Sequence, residues 1–406
     1  MNIRKYRILI VASHPAQYSA PIFRVMAKHP QLEPQVAYCS LQGFEPSLDS
    51  EFGVEVAWDI PLLNGYPWIQ VQNNSPKPKL GSFFGLINLE LWKLIRKGNF
   101  DAVIVYAGYS YASFWIAAAA AKAHGQKFVF STDASSIQSR NGKQWKAWLK
   151  RFLLPPIFRL ADFVIVSSTL GKQVVRSLGI PEKQIAMTPS SVDNDWWSYQ
   201  ATQVDVKAVR RQWDIPENGL VVLFCAKLQP WKRPTDILQA FAKANVPNSY
   251  LVFAGEGPLR PQLEAEAKSL EMQDQVRFLG FVNQSQLPSV YRCANLFVLP
   301  SEHEPFGLVV NEAMLCGCPV AVSDHVGASY DLVQHGETGL VYSCGDVDAL
   351  AGILRVFLPD SERLNKMSAA AAQRMKTWSP YENVEVIVQA LEKSIASPAM
   401  ILSSLS

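Results

Sequence analysis

The sequence predicts an α/β protein made of two domains, each with a parallel β-sheet covered by helices. Short runs rich in Val, Ile and Phe alternate along the chain with segments of helical pattern, which is typical of parallel sheets. A chain of 406 residues is long enough for two or three domains, and a hydrophobic content of 49% can fill a core in each. No internal repeat or low-complexity linker interrupts the alternation.

Two series of strands are predicted. The first series comprises Ile8–Ala12, Ala102–Tyr106, Phe128–Ser131 and Phe163–Ser167. The second comprises Val221–Cys225, Tyr250–Ala254, Arg277–Leu279, Leu296–Leu299, Val320–Ser323 and Leu340–Tyr342. The gap between the two series places a domain junction near Ser190–Ala208.

These series define the predicted domains. Residues 1–198 form the first domain, residues 199–378 the second, and residues 379–406 a terminal helix and tail. Trp378-Ser379-Pro380 is a helix start signal, so a helix is predicted from Tyr381 to Ser394. Two Rossmann-like domains facing across a cleft is the architecture that this pattern favours.

Several function classes are disfavoured by composition. The apolar run that starts at Phe114 ends at Lys122, well short of the roughly 20 residues that span a bilayer. Tyr6–Ala12 is predicted as a buried strand without a small-residue cleavage site, so we expect a cytoplasmic protein. The six cysteines are scattered and form no metal-ligand spacing with the six histidines, so reduced thiols and no metal site are expected.

Charge is distributed unevenly. Residues 1–198 contain 21 Lys and Arg against 13 Asp and Glu, and residues 199–406 contain 17 against 22. Residues 140–159 hold six basic side chains and no acid, interleaved with Trp145, Trp148, Phe152 and Phe158. Such a segment suits contact with an anionic lipid surface, which would place the protein at the inner face of the membrane. A solvated helix that buries its aromatic face on the domain core fits equally well. The low overall charge and the absence of a recognised motif argue against nucleic acid.

The most informative segment is Ser301–Pro319, in which Glu304 and Glu312 stand eight positions apart around Phe306-Gly307. Gly307 allows the backbone to approach a ligand, and a helix starting at Leu308 would direct free N–H groups at an anion. Two carboxylates beside bare amides suit a ligand with both phosphate and hydroxyl groups, as a nucleotide sugar has. Taken alone, the two glutamates could equally be ordinary helix charges.

The surrounding residues resemble the retaining glycosyltransferases of family 4, which have the GT-B fold, over most of the second half of the chain. The family signature is two glutamates separated by seven residues, with Phe-Gly after the first and Glu-Ala-Met at the second. Here it is Glu304-Pro-Phe-Gly and Glu312-Ala-Met. The resemblance implies two Rossmann-like domains and a C-terminal helix that crosses back to the first domain.

The resemblance also implies a donor site. Lys227 and Lys232 match the basic pair that neutralises the donor diphosphate, with Lys227 where the family usually has Arg; an ammonium acts as a point charge, whereas a guanidinium binds phosphate bidentately. Gly255 and Gly257 match the Gly-acidic-Gly-Pro turn, and Phe281 the loop that holds the base. A later Gly-Gly-x-x-Glu of the family is replaced here by Gly327-Ala-Ser-Tyr-Asp331. Asp331 is therefore a weaker candidate site residue than the two glutamates, and it could equally be an ordinary residue at a helix N-terminus.

The implied reaction transfers a sugar with retention from a nucleoside-diphosphate sugar to a hydroxyl, without a cofactor or metal. Lys227 and Lys232 would stabilise charge on the leaving diphosphate, and the N–H groups of Phe306, Gly307, Leu308 and Val309 would add oriented dipoles. Glu304 would hold donor sugar hydroxyls and Glu312 the ribose. These residues form the predicted donor site, with Glu304, Lys232 and Lys227 also predicted as catalytic.

The first domain is predicted to hold the acceptor. His14, in His14-Pro15-x-Gln17-Tyr18 after the first strand, and Asp133, after the third predicted strand, are the catalytic candidates there. His14 could instead brace its loop, and Asp133 could cap the following turn. The opening motif and Trp58–Tyr66 resemble a bacterial subgroup found with polysaccharide biosynthesis, which implies a glycan or lipid-linked acceptor.

Three alternative functions deserve weight. A nucleotide-sugar epimerase of the same fold would share the donor site but need no acceptor, and a non-catalytic binding protein would hold the donor without turnover. A dinucleotide-dependent oxidoreductase needs Gly-x-Gly-x-x-Gly after its first strand, and Val11–Pro15 has no glycine.

Overall fold

The computed structural model describes residues 4–44, 47–49, 54–56, 58–137 and 144–395. The chain divides into two compact units. The first unit contains Met1–Glu45, Pro61–Ser190 and Pro380–Ser406, and the second contains Pro46–Ile60 and Ser191–Ser379.

The strands, in chain order, are β1 (Tyr6–Ala12), β2 (Leu32–Tyr38), β3 (Ser47–Asp49), β4 (Val54–Val56), β5 (Trp68–Gln70), β6 (Ala102–Val105), β7 (Lys127–Thr132), β8 (Phe163–Val166), β9 (Ile185–Met187), β10 (Leu220–Cys225), β11 (Ser249–Ala254), β12 (Val276–Gly280), β13 (Leu296–Leu299), β14 (Val320–Ser323) and β15 (Leu340–Tyr342).

The helices are α1 (Ala20–Lys28), α2 (Glu90–Lys97), α3 (Ala112–Ala123), α4 (Gln144–Phe158), α5 (Thr169–Ser177), α6 (Asn194–Thr202), α7 (Val206–Gln212), α8 (Pro234–Ala244), α9 (Arg260–Ser269), α10 (Leu287–Cys293), α11 (Leu308–Leu315), α12 (Val347–Phe357), α13 (Ser361–Met375) and α14 (Pro380–Ile395).

The first unit is a parallel sheet in the order β5-β2-β1-β6-β7-β8-β9. Its strands are buried on both faces because helices cover each side, which explains their continuous apolar runs. One core contains side chains of α3 and α4, including Phe114 and Phe158. The other contains Phe23 of α1 together with Ile387 and Leu391 of α14, so the terminal helix is part of this unit.

The second unit is a parallel sheet in the order β12-β11-β10-β13-β14-β15. Numbered within the unit this is 3-2-1-4-5-6, the order of the Rossmann fold. One face packs on α8, α9 and α12 through residues such as Phe241, Leu263 and Leu354. β3 and β4 form a separate antiparallel pair.

The predicted fold of two parallel-sheet Rossmann-like domains is confirmed, and all ten predicted strands are present with limits within two residues. Strands β2, β5 and β9 and the β3–β4 pair were not predicted. In β2, Glu33, Pro34 and Gln35 interrupt the apolar pattern. Strands β5 and β9 are three-residue strands at the sheet edges, too short to show a periodic pattern.

The division between the units falls at Ser190–Ser191, eight residues before the predicted limit at residue 198. That limit lies inside α6, a helix that Asp193 caps by accepting a hydrogen bond from the Trp196 N–H. Trp197 of α6 is fully buried, and its ring packs edge-on against Tyr291 with centroids 6.0 Å apart. Because α6 packs within the second unit, a contact that the local sequence does not reveal, the division lies before this helix and not inside it.

Candidate donor site in the second domain

The candidate site lies where the strand order of the second sheet reverses. β10 pairs with β11 on one side and with β13 on the other. The connections from these strands leave in opposite directions, which opens a crevice at their carboxyl ends, the usual ligand position in such sheets. The loop after β10 carries Lys227 and Lys232, and the loop after β13 carries Glu304.

Lys232 and Glu304 form an ion pair between these two loops. Only 17% of the Lys232 side chain and 13% of the Glu304 side chain are exposed. The loops are also joined through their backbones, because the Glu302 N–H donates to the Trp231 carbonyl at 2.8 Å. Two predicted residues that are 72 positions apart are therefore in direct contact in the folded domain.

The residue after Lys232 has a structural role. Arg233 adopts a left-handed conformation, with φ of 50°, at the start of α8. Its Nε lies 2.6 Å from Asp236 Oδ2 and its Nη1 lies 3.6 Å from Glu302 Oε2. Two carboxylates therefore hold the Arg233 guanidinium, whereas Lys227 and Lys232 are the cations that the sequence predicts to bind a diphosphate. Lys227 is half-buried two residues after β10.

Gly255 and Gly257 bring the loop after β11 against the loop after β10. Gly255 has φ of 146° and Gly257 has φ of 155°. A Cβ added at Gly255 would lie 2.0 Å from the Ala226 carbonyl oxygen, and one at Gly257 would lie 2.6 Å from the Leu228 carbonyl oxygen. The glycines are thus required for close backbone approach around Lys227, a requirement that holds with or without a ligand.

The predicted base-binding loop follows β12. Phe278 in this strand stacks on Phe253 of β11 with ring centroids 5.0 Å apart and an interplanar angle of 8°. The Arg260 guanidinium lies 5.8 Å from the Phe278 ring centroid. Phe281 is the first residue after the strand and is half-buried. The stacked rings fix the end of β12 and hence the position of this loop.

Gly307 and α11 form the second wall of the site. Gly307 is the N-cap residue of α11 and has φ of 96°, a conformation that other residues rarely adopt. The helix begins at Leu308 as predicted, so the first-turn N–H groups of Leu308 and Val309 have no acceptor within the helix. Such groups favour an anionic ligand.

The segment after β14 supports the Glu304 loop from behind. The Gly327 N–H donates to the Glu304 carbonyl at 3.0 Å, and the Ala328 N–H donates to the Phe306 carbonyl at 2.8 Å. A Cβ on Gly327 would lie 2.1 Å from the Pro305 carbonyl oxygen. Ala328, the departure from the family pattern, is fully buried at this contact. Gly327 is the only residue whose type indicates this support from the sequence.

Phe306 contributes to the site through its backbone more than through its ring. The ring is 8% exposed and stacks on Trp378, with centroids 6.2 Å apart and an interplanar angle of 4°. The Arg374 guanidinium lies 4.8 Å from the Trp378 ring centroid, and its Nη2 donates to the Asp331 carbonyl at 2.9 Å. Asp331 therefore helps to anchor α13 through its backbone, a contact that its sequence position did not indicate.

Glu312 lies one turn into α11 and is almost completely buried, with 8% of its surface exposed. The Tyr291 hydroxyl donates to Glu312 Oε2 at 2.9 Å. Burial raises the pKa of the Glu312 carboxyl to about 8, and the hydrogen bond from Tyr291 opposes part of that rise. Sequence reasoning missed Tyr291, whose position in α10 carries no motif.

The first-domain candidates His14 and Asp133 follow β1 and β7, which lie on either side of β6. His14 Nδ1 is 2.9 Å from Ser13 Oγ, and burial lowers the pKa of the His14 imidazole. Asp133 is exposed, and Thr132 rather than Asp133 accepts the turn's hydrogen bond from the Ala134 N–H. Burial and then the Asp133 carboxylate raise the pKa of the Tyr109 hydroxyl. No hydrogen bond joins His14 to Asp133 among the described residues.

The described residues contain neither a metal-binding cluster nor a membrane-spanning helix. No group of three or more His, Cys, Asp or Glu side chains is placed to hold a metal ion. Across the same residues, no helix has both the length and the apolar character needed to cross a membrane.

Both halves of the chain match family models. Residues 205–374 match the model of glycosyl transferases group 1, and residues 50–196 match the model of glycosyltransferase family 4. These two segments contain most of the chain and every predicted donor-site residue. The chain belongs to the family-4-like glycosyltransferases of the GT-B fold.

Characterised relatives are similar to part of this chain. The D-inositol 3-phosphate glycosyltransferase of Thermobispora bispora is 35% identical over 201 residues, covering 46% of this chain and 47% of that protein. The N-acetyl-alpha-D-glucosaminyl L-malate synthase of Bacillus anthracis is 30% identical over 186 residues, covering 46% and 48%. This family member spans about half the length of the curated relatives it matches.

A solved structure is similar over nearly the whole chain. The crystal structure of Anabaena Alr3699/HepE in complex with UDP and glucose has a TM-score of 0.72 and covers 96% of this chain and 100% of its own. The sequence identity is 20%, so the likeness concerns the fold. It confirms the GT-B fold for this family member.

Proposed function

We propose that this protein is a retaining, metal-independent glycosyltransferase that moves a sugar from a nucleoside-diphosphate sugar to a hydroxyl of a glycan or lipid-linked acceptor. The observation that carries the proposal is the contact of Lys232 with Glu304 beside the N-terminus of α11, where the strand order of the second sheet reverses. This arrangement offers one ligand positive charge, oriented N–H groups and a carboxylate that can accept hydrogen bonds from hydroxyl groups.

The donor diphosphate is assigned to the lysines and the helix terminus. Lys227 and Lys232 are cations on the loop after β10, and the first-turn N–H groups of α11 belong to the loop after β13. A diphosphate bound there would compete with Glu304 for Lys232. On donor binding Lys232 therefore turns from the carboxylate to the phosphate, and Glu304 becomes available to accept hydrogen bonds from sugar hydroxyls.

Glu312 is assigned to the ribose hydroxyls. With a pKa of about 8, its carboxyl is mainly protonated at neutral pH. A protonated carboxyl can both donate to one ribose oxygen and accept from another hydroxyl. The hydroxyl of Tyr291 fixes the orientation of this carboxyl.

Transfer with retention in a single step requires attack from the face that the diphosphate leaves. In this proposal the bond from the anomeric carbon to the diphosphate breaks, the acceptor oxygen bonds to that carbon, and the acceptor proton passes to a diphosphate oxygen. The lysines and helix N–H groups stabilise the charge on the leaving group, which is where such stabilisation lowers the barrier. Binding of UDP by the similar Anabaena protein supports a nucleotide donor of this class.

The experiment is a panel of nucleoside-diphosphate sugars, UDP-glucose among them, measured by thermal shift and by slow donor hydrolysis. We expect one or a few donors to raise the melting temperature and to be hydrolysed with retention at the anomeric carbon, unaffected by EDTA. Absence of any binding across the panel contradicts the proposal. An epimerised nucleotide sugar formed without acceptor would instead establish the epimerase.

Acceptor identity is tested after the donor. With the donor fixed, the wild-type protein is incubated with a panel of glycan and polyprenyl-linked acceptors, and products are analysed by mass spectrometry. We expect a mass increase of one sugar residue on at least one acceptor. A donor-binding protein that transfers to water alone at the background rate would show that the site binds without catalysing.

A further inference from the structure

Helix α4 in the first domain presents an apolar stripe to solvent. Trp148 is 63% exposed, Trp145 and Phe152 are each 61% exposed, and Leu149 is 40% exposed. Their spacing is i, i+3, i+4 and i+7, which places all four on one face of the helix. In a globular protein such a stripe normally faces the core.

The core contacts of α4 come from its opposite face. Leu154 is 8% exposed and Phe158 is 1% exposed, and both pack with the strands of the first sheet. Phe158 also meets Phe130 of β7 with ring centroids 5.2 Å apart. The interpretation that this segment buries its aromatic face is therefore wrong for three of its four aromatic residues.

The stripe is ordered by its own contacts. The rings of Trp148 and Phe152 lie 4.6 Å apart between centroids, which makes a continuous aromatic surface along the helix. Contiguous exposed apolar surface of this kind marks an interaction site.

The charges of α4 decide between occupants. Lys150 and Arg151 are its described charged side chains, and the helix contains no Asp or Glu. Successive helix residues are separated by about 100°, so these two lie on opposite sides of the stripe. A second copy of the chain would bring the same positive charges together across a two-fold interface, which disfavours it.

We propose that α4 docks on the surface of an anionic lipid bilayer. Trp and Phe side chains favour the headgroup boundary, and Lys and Arg can reach lipid phosphates while their stems stay beside the apolar face. The contributing side chains are Trp145, Trp148, Leu149, Phe152 and the flanking Lys150 and Arg151. Arg140 and Lys143 of the predicted basic segment lie outside the described residues.

The test is co-sedimentation of the full chain with vesicles of phosphatidylcholine alone or mixed with phosphatidylglycerol, without donor or acceptor. We expect binding to the anionic vesicles only, weakening as salt is raised. The double variant Trp148→Ser/Phe152→Ser should bind about tenfold more weakly. Because the measurement uses no sugar nucleotide, its result is independent of the proposed transferase function.

Matched controls make the result specific to α4. Tyr199→Ser removes an aromatic side chain that is 62% exposed in the second domain, and should bind vesicles as the wild type does. Melting temperatures should be unchanged, since all three replaced side chains are exposed. Equal binding of wild type and double variant overturns the proposal. A wild-type dimer that the double variant converts to a monomer, with no vesicle binding, assigns the stripe to self-association and overturns it as well.

Discussion

The two sheets share the strand order 3-2-1-4-5-6, to which the first sheet adds β9. They differ in the side chains at the carboxyl ends of their strands, which form the first edge in the first unit and the second edge in the second unit. In both units the order reverses beside the first strand, between β1 and β6 in the first and between β10 and β13 in the second. The second edge carries Lys227, the Lys232–Glu304 ion pair and glycines without room for a Cβ. The first edge carries His14, Tyr109 and the exposed Asp133.

Under the proposed function, one architecture holds two kinds of site. The fold determines where loops converge, and the loop residues determine which ligand can bind there. Cations and helix N–H groups suit the diphosphate of a donor, whereas an imidazole and phenol hydroxyls suit neutral sugar hydroxyls. Variants at the two edges should therefore change different kinetic constants.

The largest expected effect is at Lys232. Lys232→Ala removes the cation assigned to the diphosphate. It also leaves the Glu304 carboxylate, which is mostly buried, without its ion-pair partner. Turnover should fall by about 100-fold or more, and donor affinity should weaken with it, because charge on the leaving group loses its stabilisation. Steady-state kinetics with saturating acceptor measure both.

Lys366→Ala is the matched control for this change. Lys366 also pairs with a glutamate, Glu362 at 2.7 Å, but both side chains are largely exposed on α13. Its removal should leave kinetics and stability unchanged. If Lys232→Ala behaves like Lys366→Ala, the second edge is not a diphosphate site.

Next in size is the loss of stability expected from Gly255→Ala. A Cβ there would lie 2.0 Å from the Ala226 carbonyl oxygen at φ of 146°, so the loop of Lys227 must shift. We expect the free energy of unfolding to fall by about 2 kcal/mol, with a parallel loss of donor affinity. Urea denaturation and donor titration measure the two effects.

The control for this substitution is Gly352→Ala in α12, where an added Cβ meets nothing within 4 Å. Alanine at a helical position should raise stability by roughly 0.5–1 kcal/mol. A Gly255→Ala protein as stable as the wild type would show that the loops after β10 and β11 are not in close contact.

A more gradual effect, spread over several pH units, is expected in the pH dependence of stability. Folded Glu312 has a pKa of about 8 against an ordinary 4.5, so between these values the folded protein binds more protons than the unfolded chain. The contribution of Glu312 to stability is therefore complete below pH 4.5 and is lost as pH rises toward 8. In Glu312→Gln this decline should be absent.

Urea midpoints of wild type and Glu312→Gln at pH 5.5 and pH 8 measure the difference. We expect the wild type to lose about 1 kcal/mol per pH unit relative to the variant over this interval. Parallel pH profiles of the two proteins would mean that Glu312 titrates as an exposed carboxyl does.

The smallest expected effect is at the first edge. His14→Gln should lower turnover about tenfold with little change in donor affinity, because the imidazole is assigned to the acceptor side. Burial lowers the His14 pKa, so the ring is neutral at neutral pH and the difference from wild type should diminish only in acid. The exposed His124→Gln is the control. A change in donor affinity without a change in turnover would contradict the assignment of His14 to the acceptor side.

Local sequence signals are stronger at the second edge than at the first for a physical reason. Glu304, Gly307 and the α11 start at Leu308 follow from local chemistry, since a glycine in a left-handed conformation and a helix start leave clear signals. The first edge depends on single polar residues after strands, where His14 and Asp133 have no comparable local constraint. Tyr291 and Trp378 were missed because they act by contact across the fold.

Taken by itself, the sequence determined the two parallel-sheet domains and the ten main strands, because apolar periodicity is a local property, and its resemblance to family 4 supplied the candidate residues of the proposed donor site. Tertiary structure alone decided that Lys232 meets Glu304, that Tyr291 donates a hydrogen bond to the buried Glu312, and that the aromatic stripe of α4 faces solvent. Those outcomes depend on which helices and loops the sheets bring together. The partner of Lys232 and the pKa of Glu312 depend on contacts and burial that exist only in the folded chain.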